Sequence, residues 1–413
     1  MTMDLDLGNA GRREGAGLAG RLWPRLLAGL LARMECGRIR VTLPDGRVLE
    51  GGAGGETAEV AIRDWRALRR LALGGEIGVA RSFLDGEWTT PDLLAVFRVI
   101  QANRTALHDA LQGSALSRVV NLLAHRRRRN SRRGSRRNIA EHYDLGNDFY
   151  ARWLDPSMTY SAALYADGAN SLERAQEAKY RAIAELAELR PGCRVLEIGC
   201  GWGGFAAFAA REYGATVEGV TLSTEQLEWA RRRAAEGGFA DRASFHLTDY
   251  RETAGAYDRV VSIEMFEAVG EEHWPAFFHT VRERLKPGGR AVVQSITIDE
   301  AAFESYRRRA DFIQRFVFPG GMLPSAERLV RAAGAAGLEA RAERFFGQCY
   351  ARTLLDWRER FHGAWGDIQA MPGFDQRFRR LWDYYLAYCA AGFQHGVIDV
   401  GHFRQPPTPS ANG

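Results

Sequence analysis

The chain has 413 residues, 46% hydrophobic and 26% charged, with a formal net charge of +5, an ordinary globular composition with room for two or three domains. No run approaches the roughly 18 consecutive apolar residues of a membrane span, and the first 35 residues lack a signal peptide's apolar core and small-residue cleavage site, so the expected location is cytoplasmic. The five cysteines, Cys36, Cys193, Cys200, Cys349 and Cys389, show neither CxxC nor His/Cys metal spacing, which gives no reason to expect a disulfide framework or a metal site.

In chain order, residues 1–16 are Gly-rich and read as disordered. Leu18, Leu22, Trp23, Leu26, Leu27, Leu30, Leu31 and Met34 then fall at helical spacing, with Arg21, Arg25 and Arg33 among them. That pattern predicts a basic amphipathic helix over 18–34, bent at Pro24, either packed on its own domain or lying on a membrane surface. Residues 38–43 and 47–50 flank Pro44-Asp45-Gly46 and predict a β-hairpin. A further strand at 60–62 and helices at 65–73 and 91–110 complete a small α+β domain over 1–122. It carries no catalytic constellation, so it reads as a lipid-binding or homodimerisation domain.

Residues 123–138 form an Arg-rich linker, in which His125 to Arg137 hold eight arginines and no acid. Such a block suits an anionic lipid surface, which would put the protein on the inner face of a membrane. Nucleic acid is not expected, because no RNA-binding aromatic signature or DNA-reading helix accompanies it.

The remainder, 139–405, alternates between helix and strand: helix 172–189, strand 194–198, a glycine turn, strand 216–220, helix 223–235, strands 243–247 and 259–263, helix 274–285, a Lys286-Pro287-Gly288-Gly289 turn and strand 289–297. Alternation of this kind predicts an α/β fold with a doubly wound, Rossmann-like sheet. Beyond it, 303–318 and 357–393 are aromatic helical segments, which read as core or as a cover over an apolar substrate channel.

The chemistry centres on Val195-Leu196-Glu197-Ile198-Gly199-Cys200-Gly201-Trp202-Gly203-Gly204. A strand, a turn without Cβ atoms and a helix bring backbone close to a ligand at the carboxyl end of a parallel strand. Here the acid precedes the glycines, an order that favours S-adenosylmethionine (SAM) over a dinucleotide.

With these motifs in place the chain resembles the cyclopropane fatty acyl phospholipid synthases and mycolic acid cyclopropane synthases, from Arg38 to Phe393. The matching stretches are HYDLGNDFY (142–150), LDPSMTYS (154–161), VLEIGCGWGG (195–204), GVTLSTEQ (219–226), DY (249–250), MFEAVG (265–270), LKPGG (285–289), DFIQRFVFPGGMLPS (311–325) and YYLAYCAAGF (384–393). The N-terminal LPDGR and FLDGEW resemble the small domain of the members that act on phospholipids. The resemblance implies a class I SAM methyltransferase fold with a helical substrate cover. It implies SAM against Glu197, Gly199, Gly201 and Gly203, with Tyr160 and Ser161 at its methionine end, Thr221 and Gln226 at its ribose and Asp249 with Tyr250 at its adenine. Ser223 stands beside Thr221, and both residues also fit helix capping.

The implied reaction is methyl transfer to the cis double bond of an unsaturated phospholipid acyl chain, followed by proton removal from the resulting cation. Loss from the new methyl closes a cyclopropane; loss from a neighbouring carbon gives a methyl-branched or methylene chain. In the family the acceptor is a bicarbonate, for which this chain matches Glu267, Tyr350 and the amide of Ile296. It departs at Ala162, where the family has cysteine, and at Gln294, where it has histidine. Glu264, one turn before Glu267, stands where some members carry glycine; either the two carboxylates raise each other's pKa and make one a usable base, or the Glu264 side chain points to SAM or solvent. Cys389 matches a cysteine once assigned to catalysis, and also fits as a small buried residue. Cyclopropane formation is the leading expectation, followed by branching, a small-molecule methyltransferase, and a non-catalytic lipid-binding relative.

Overall fold

The computed structural model describes residues 19–107, 145–166 and 168–405. The Gly-rich start, the Arg-rich linker and His142, Tyr143 and Asp144 lie outside the described residues. The chain forms two compact units, one of Met1–Val120 with Asp375–Ala391, the other of Asn121–Phe374 with Gly392–Gly413. The sequence division at 122 and 139 therefore meets a difference at the C-terminal end, where 375–391 groups with the first unit.

In the first unit, strands β1 (Gly37–Thr42), β2 (Val48–Gly54), β3 (Thr57–Ile62) and β4 (Trp88–Thr89) form a sheet in the order β2-β1-β3-β4. The expected hairpin pairs β1 and β2 in antiparallel register from Thr42↔Val48, while β3 runs parallel to β1. The basic helix is Ala19–Leu31. It buries Leu27 and Leu31 and lies so close to β2 that a Cβ at Gly51 would come 2.4 Å from the carbonyl oxygen of Leu31. Its other side leaves Leu22 52% and Leu26 48% exposed. The helix expected at 65–73 continues as Arg66–Leu84 through a break at Gly75 (φ 54°).

Phe83, Trp88, Phe97 and Tyr384 stack into the unit's aromatic centre, and the Tyr388 hydroxyl donates to Glu76 at 2.7 Å. Part of the aromatic stripe at 357–393 is therefore core of this unit. Asn103, 3% exposed, ties its helix to the start of β1: its amide donates to the carbonyls of Cys36 and Val99, and its oxygen accepts from the amides of Glu35 and Cys36.

In the second unit, β5 (Arg194–Ile198), β6 (Thr216–Thr221), β7 (Ala243–Leu247), β8 (Tyr257–Ile263), β9 (Leu285–Ile298), β10 (Arg341–Phe345) and β11 (Ile398–Gln405) form a seven-stranded sheet ordered β10-β11-β9-β8-β5-β6-β7. β9, β8, β5, β6 and β7 are parallel; β11 and β10, not expected from the sequence, join antiparallel at one edge. Successive residues face opposite sides: Val195, Val261 and Val292 pack under the helices Leu172–Leu186, Gly204–Tyr213 and Thr224–Glu236. Leu196, Val260 and Val293 pack under Trp274–Arg284 and Ala326–Ala335.

Three expected elements differ. Lys286-Pro287-Gly288-Gly289, read as a turn, lies within β9, where Gly288 (φ 75°) and a shift of register after Tyr257↔Leu285 make an irregularity. The helix expected at 303–318 is two, Glu300–Tyr306 and Phe312–Phe316, because Asp311 caps the second with Gln314 in a reciprocal box. The segment 357–393 is three helices, Gly347–Gly363, Trp365–Gln369 and Gln376–Gln394.

Replacing Asn103 with alanine strands two carbonyls and two amides. Chemical unfolding of the full chain should show a loss on the order of 2 kcal/mol, mainly from the buried Val99 carbonyl left unpaired at roughly 1–3 kcal/mol, since Glu35 and Cys36 are exposed and regain water. A loss below about 1 kcal/mol would mean water replaces the amide.

Candidate active site

The sheet order reverses about β5, whose two neighbours lead off in opposite directions, and the crevice at the carboxyl ends of its strands is the expected ligand position in such a sheet. A cleft opens there, lined by Ile198 and Gly199 after β5, Thr221 after β6 and Glu264 after β8. The glycines have separable reasons. A Cβ at Gly199 (φ 82°) would come 2.7 Å from the Met265 side chain, so that residue must be bare for the β8 end to close against it. At Gly201 (φ 52°) a Cβ would meet nothing within 4 Å, and the open space belongs to the cleft. Gly203 begins the Gly204–Tyr213 helix in the left-handed region and faces Phe245 and Ala230 instead.

Tyr160, Ser161, Glu197, Gly199, Gly201, Thr221, Gln226 and Tyr250, which the resemblance assigned to SAM, line the cleft together with Glu264 of the carboxylate pair. Ser223 does not. Its hydroxyl accepts from the Gln226 amide and caps the following helix, which is the capping role its position allowed. The Thr221 hydroxyl donates to Gln226 Oε1 at 2.8 Å, so these two side chains reach the cleft as a unit. Asp249 is also outside the lining; its carboxylate takes a two-pronged bond from Arg251, at 2.8 and 2.6 Å. Cys389 lies half-buried on the part of its helix that belongs to the first unit.

The residues fit SAM on two counts. Glu197 is 2% exposed, with no hydrogen-bond partner for Oε2 among the described residues, so a buried oxygen stands at the mouth of the glycine turn. Burial raises its carboxyl to about 8, against the pull of Lys179. Around Tyr160 stands an aromatic wall of Tyr150, Trp153 and Trp357, with ring centroids 5.3–5.6 Å away, suited to excluding water and to facing positive charge. Asn147, in the conspicuous 142–150 stretch, accepts from the Trp202 indole and donates to Glu225, which holds the glycine turn against the next helix.

The bicarbonate cradle does not fit bicarbonate. Glu264 fills it: Oε1 accepts from the Ala162 amide at 2.8 Å and from Gln294 Nε2 at 2.7 Å, and Oε2 accepts from the Tyr350 hydroxyl at 2.7 Å. Glu267 bonds elsewhere, through Oε1 to the Ile296 amide and the Ser295 hydroxyl, and is not in the cleft lining. The donors that the resemblance assigned to an anion, Tyr350 and the Gln294 position, thus hold a carboxylate of the chain. Holding it there requires Glu264 to adopt φ 50°, a left-handed conformation that costs a non-glycine residue roughly 1–2 kcal/mol and glycine almost nothing.

The two carboxyls separate in acidity. Burial and the neighbouring Glu264 push Glu267 up to about 8, and its Oε2 is buried without a partner, consistent with a neutral acid. Glu264 is also raised by burial, opposed by Tyr350, the Ala162 amide, Gln294 and the charge of Lys179, so it is the one of the pair equipped to ionise.

Two residues in this network escaped the sequence reading. Lys179 is fully buried and donates to the Ser161 hydroxyl at 2.8 Å, with burial pulling its ammonium down to about 7. Its signal was present: Leu172, Ala175, Gln176, Lys179, Tyr180, Ile183 and Ala184 make one helical stripe, and a lysine inside an apolar stripe needs a buried partner. His402, fully buried on β11 opposite Gln294, had no such signal because β11 was not expected.

Comparison with known proteins shows what the chain is similar to. The family described as mycolic acid cyclopropane synthetase matches residues 130–403. The tuberculostearic acid methyltransferase of Mycobacterium tuberculosis is 39% identical over 343 residues, 80% of this chain and 79% of that one. The cyclopropane-fatty-acyl-phospholipid synthase of Escherichia coli is 36% identical over 353 residues, 84% and 87% of the two chains. Among solved structures, a mycolic acid cyclopropane synthase complexed with SAH and CTAB superposes with a TM-score of 0.60 at 30% identity, over 66% of this chain and 98% of that chain.

The raised acids predict a pH dependence. A carboxyl whose folded pKa lies above its unfolded value, here Glu267 at about 8 against 4.5, contributes stability that is present below pH 4.5 and lost as pH rises toward 8. The ligand-free Tm should therefore fall between pH 5 and 8, and Glu267→Gln should flatten that fall. An unchanged slope in the variant would show that Glu267 ionises freely.

Proposed function

We propose, for a chain that belongs to the mycolic acid cyclopropane synthetase family and is a SAM-dependent methyltransferase of lipid acyl chains, that the substrate is the cis double bond of an unsaturated phospholipid chain and the product a methyl-branched chain. The observation that carries the product is the filled cradle, in which Glu264 occupies the donors that an exchangeable anion would need.

When bound, SAM supplies a sulfonium methyl: the alkene's π pair forms the new C–C bond as the C–S pair stays on sulfur. The chain's residues do the rest. Glu197, Ser161, Tyr160, Gly201 and the Thr221–Gln226 pair would hold SAM at the crevice. Tyr160 lines the cleft and would offer a ring face to the cation left on the neighbouring acyl carbon, while Tyr150, Trp153 and Trp357, fully buried, back it and keep that wall dry. A base tethered after β8, with its oxygens held by Ala162, Gln294 and Tyr350, has its reach set by the backbone at Glu264 and cannot follow the transferred methyl, which supports proton loss from the chain.

Support for a phospholipid surface comes from the first unit, where exposed Leu22 and Leu26 lie on one helix with exposed Arg25. Cyclopropane formation is the second reading. Its support is that the chain keeps Glu267, Tyr350 and Ile296, the residues the resemblance assigned to the proton acceptor, although the Ile296 amide is bonded to Glu267 away from the cleft lining.

The test is expression in cells with unsaturated phospholipids, fed methyl-deuterated methionine, followed by mass spectrometry of the fatty acid methyl esters. A branched chain that lost a chain proton retains three deuteriums from the donated methyl. A cyclopropane retains two and resists mild hydrogenation, and that result would replace the first reading with the second; a methylene chain, which forms by a hydride shift and loss from the donated methyl rather than from a neighbouring carbon, also retains two but takes up hydrogen. Changing both Leu22 and Leu26 to glutamate should lower binding to anionic vesicles about tenfold or more while SAM affinity holds. Undiminished vesicle binding would remove this helix from the membrane contact.

A further inference from the structure

Glu264 is placed against its own backbone preference, at φ 50°, and its carboxylate is then gripped by three donors from three other segments. Such strain persists only where the surroundings over-determine the residue, and here they converge on the carboxylate. A second layer stands behind the first. His402, across the β9–β11 ladder, places Nε2 2.9 Å from Gln294 Oε1. An amide oxygen can only accept, so the proton of this imidazole sits on Nε2, and Nδ1 is left bare and buried, as found. Burial, with Lys179 and Arg344 adding like charge, pushes His402 down to about 3, so the ring is neutral.

With a donor at its oxygen and a carboxylate at its nitrogen, Gln294 has one satisfactory orientation: Oε1 toward His402, Nε2 toward Glu264. The two oxygens of Glu264 are thereby made unequal. Oε1 has a donor for each lone pair, Ala162 N and Gln294 Nε2; Oε2 has one, Tyr350, among the described residues. Glu264 lines the cleft and Glu267 does not.

We infer that Glu264, through Oε2, is a proton acceptor built into this chain in place of a bound anion, and that His402 is a positioning residue that aims it through Gln294. The inference rests on the methyl-transfer reading and names the atom that completes it. The C–H bond beside the acyl cation breaks, its electron pair becomes the new double bond, and its proton moves to Oε2. Glu264 then returns the proton to water as the cleft empties. No bicarbonate enters the balance.

The closing experiment uses the full chain on vesicles of unsaturated phospholipid. The wild type should be equally active in buffer stripped of carbon dioxide and in buffer with added bicarbonate. Glu264→Gly should fold, since its backbone already has the conformation glycine prefers, and should bind SAM within a few-fold of the wild type. Its turnover should fall at least a hundredfold and rise at least tenfold on adding acetate, formate or bicarbonate to the vacated cradle. His402→Leu should lower kcat with KM for SAM unchanged and move the acid limb of the rate profile to higher pH, whereas His402→Gln, which keeps a donor for Gln294, should restore both.

A wild type that slows when bicarbonate is removed, or a Glu264→Gly variant with full turnover, overturns the assignment of the acceptor. An unshifted pH profile in His402→Leu overturns the positioning role. A wild type that binds SAM but methylates no unsaturated phospholipid overturns the reaction reading itself, and the assignment falls with it.

Discussion

Charge buried under the glycine turn is the constraint from which the rest of the site follows. Glu197, Glu264 and Glu267 lie in one poorly solvated region, and Lys179 is the buried cation whose charge reaches Glu264 and Glu197. An isolated carboxylate in such a place would stay protonated. The structure resolves the conflict by giving the three acids unequal company: Glu264 has three hydrogen-bond donors, Glu267 has a strand amide and a hydroxyl on one oxygen, and Glu197 has an oxygen with none. Identical side chains thereby take different roles. A ligand with a positive centre meets at the cleft the one carboxylate of the three with donors on both oxygens, Glu264.

The fold makes this arrangement affordable. Parallel strands end together at the crevice, so residues from β5, β6 and β8 meet there although they are far apart in sequence. The antiparallel β11 adds a buried rung behind β9, and that is where His402 meets Gln294. Close approach of Met265 to Gly199 brings the start of the Glu264–Glu267 segment against the turn. Side-chain packing on both faces of the sheet, by Val195 and Val261 on one and Leu196 and Val260 on the other, fixes the strand ends against which these distances are set.

Local signals in the sequence were read well where they were strong. Alternating strands and helices gave the parallel core with ends within a few residues, and the Glu-x-Gly-x-Gly-x-Gly order pointed, before any resemblance was drawn, to a turn that lines the cleft. The aromatic stripe at 357–393 could not be apportioned from spacing, since Tyr384 and Trp357 obey the same helical period but pack in different units. β10 and β11 were missed because Arg341–Phe345 is exposed throughout and the residues of β11 do not alternate cleanly between apolar and polar. Glu264 was recognised as one of a carboxylate pair, but nothing local reveals that Gln294, 30 residues on, and Tyr350, 86 residues on, both point to it. Asp249 and Ser223 lie outside the cleft lining: their types suit ligand binding, and an adjacent arginine and a helix start hold them in this structure.

The backbone at position 264 has a consequence for how such a protein adapts to its surroundings. A left-handed residue there admits glycine without strain and glutamate with a modest one, so both are structurally available through a change at a single site. A borrowed anion ties turnover to how much inorganic carbon is dissolved nearby, while a tethered carboxylate has an occupancy of one in any atmosphere. Lipid tailoring in a chain of this second kind would proceed at the same pace in carbon-dioxide-poor and carbon-dioxide-rich habitats.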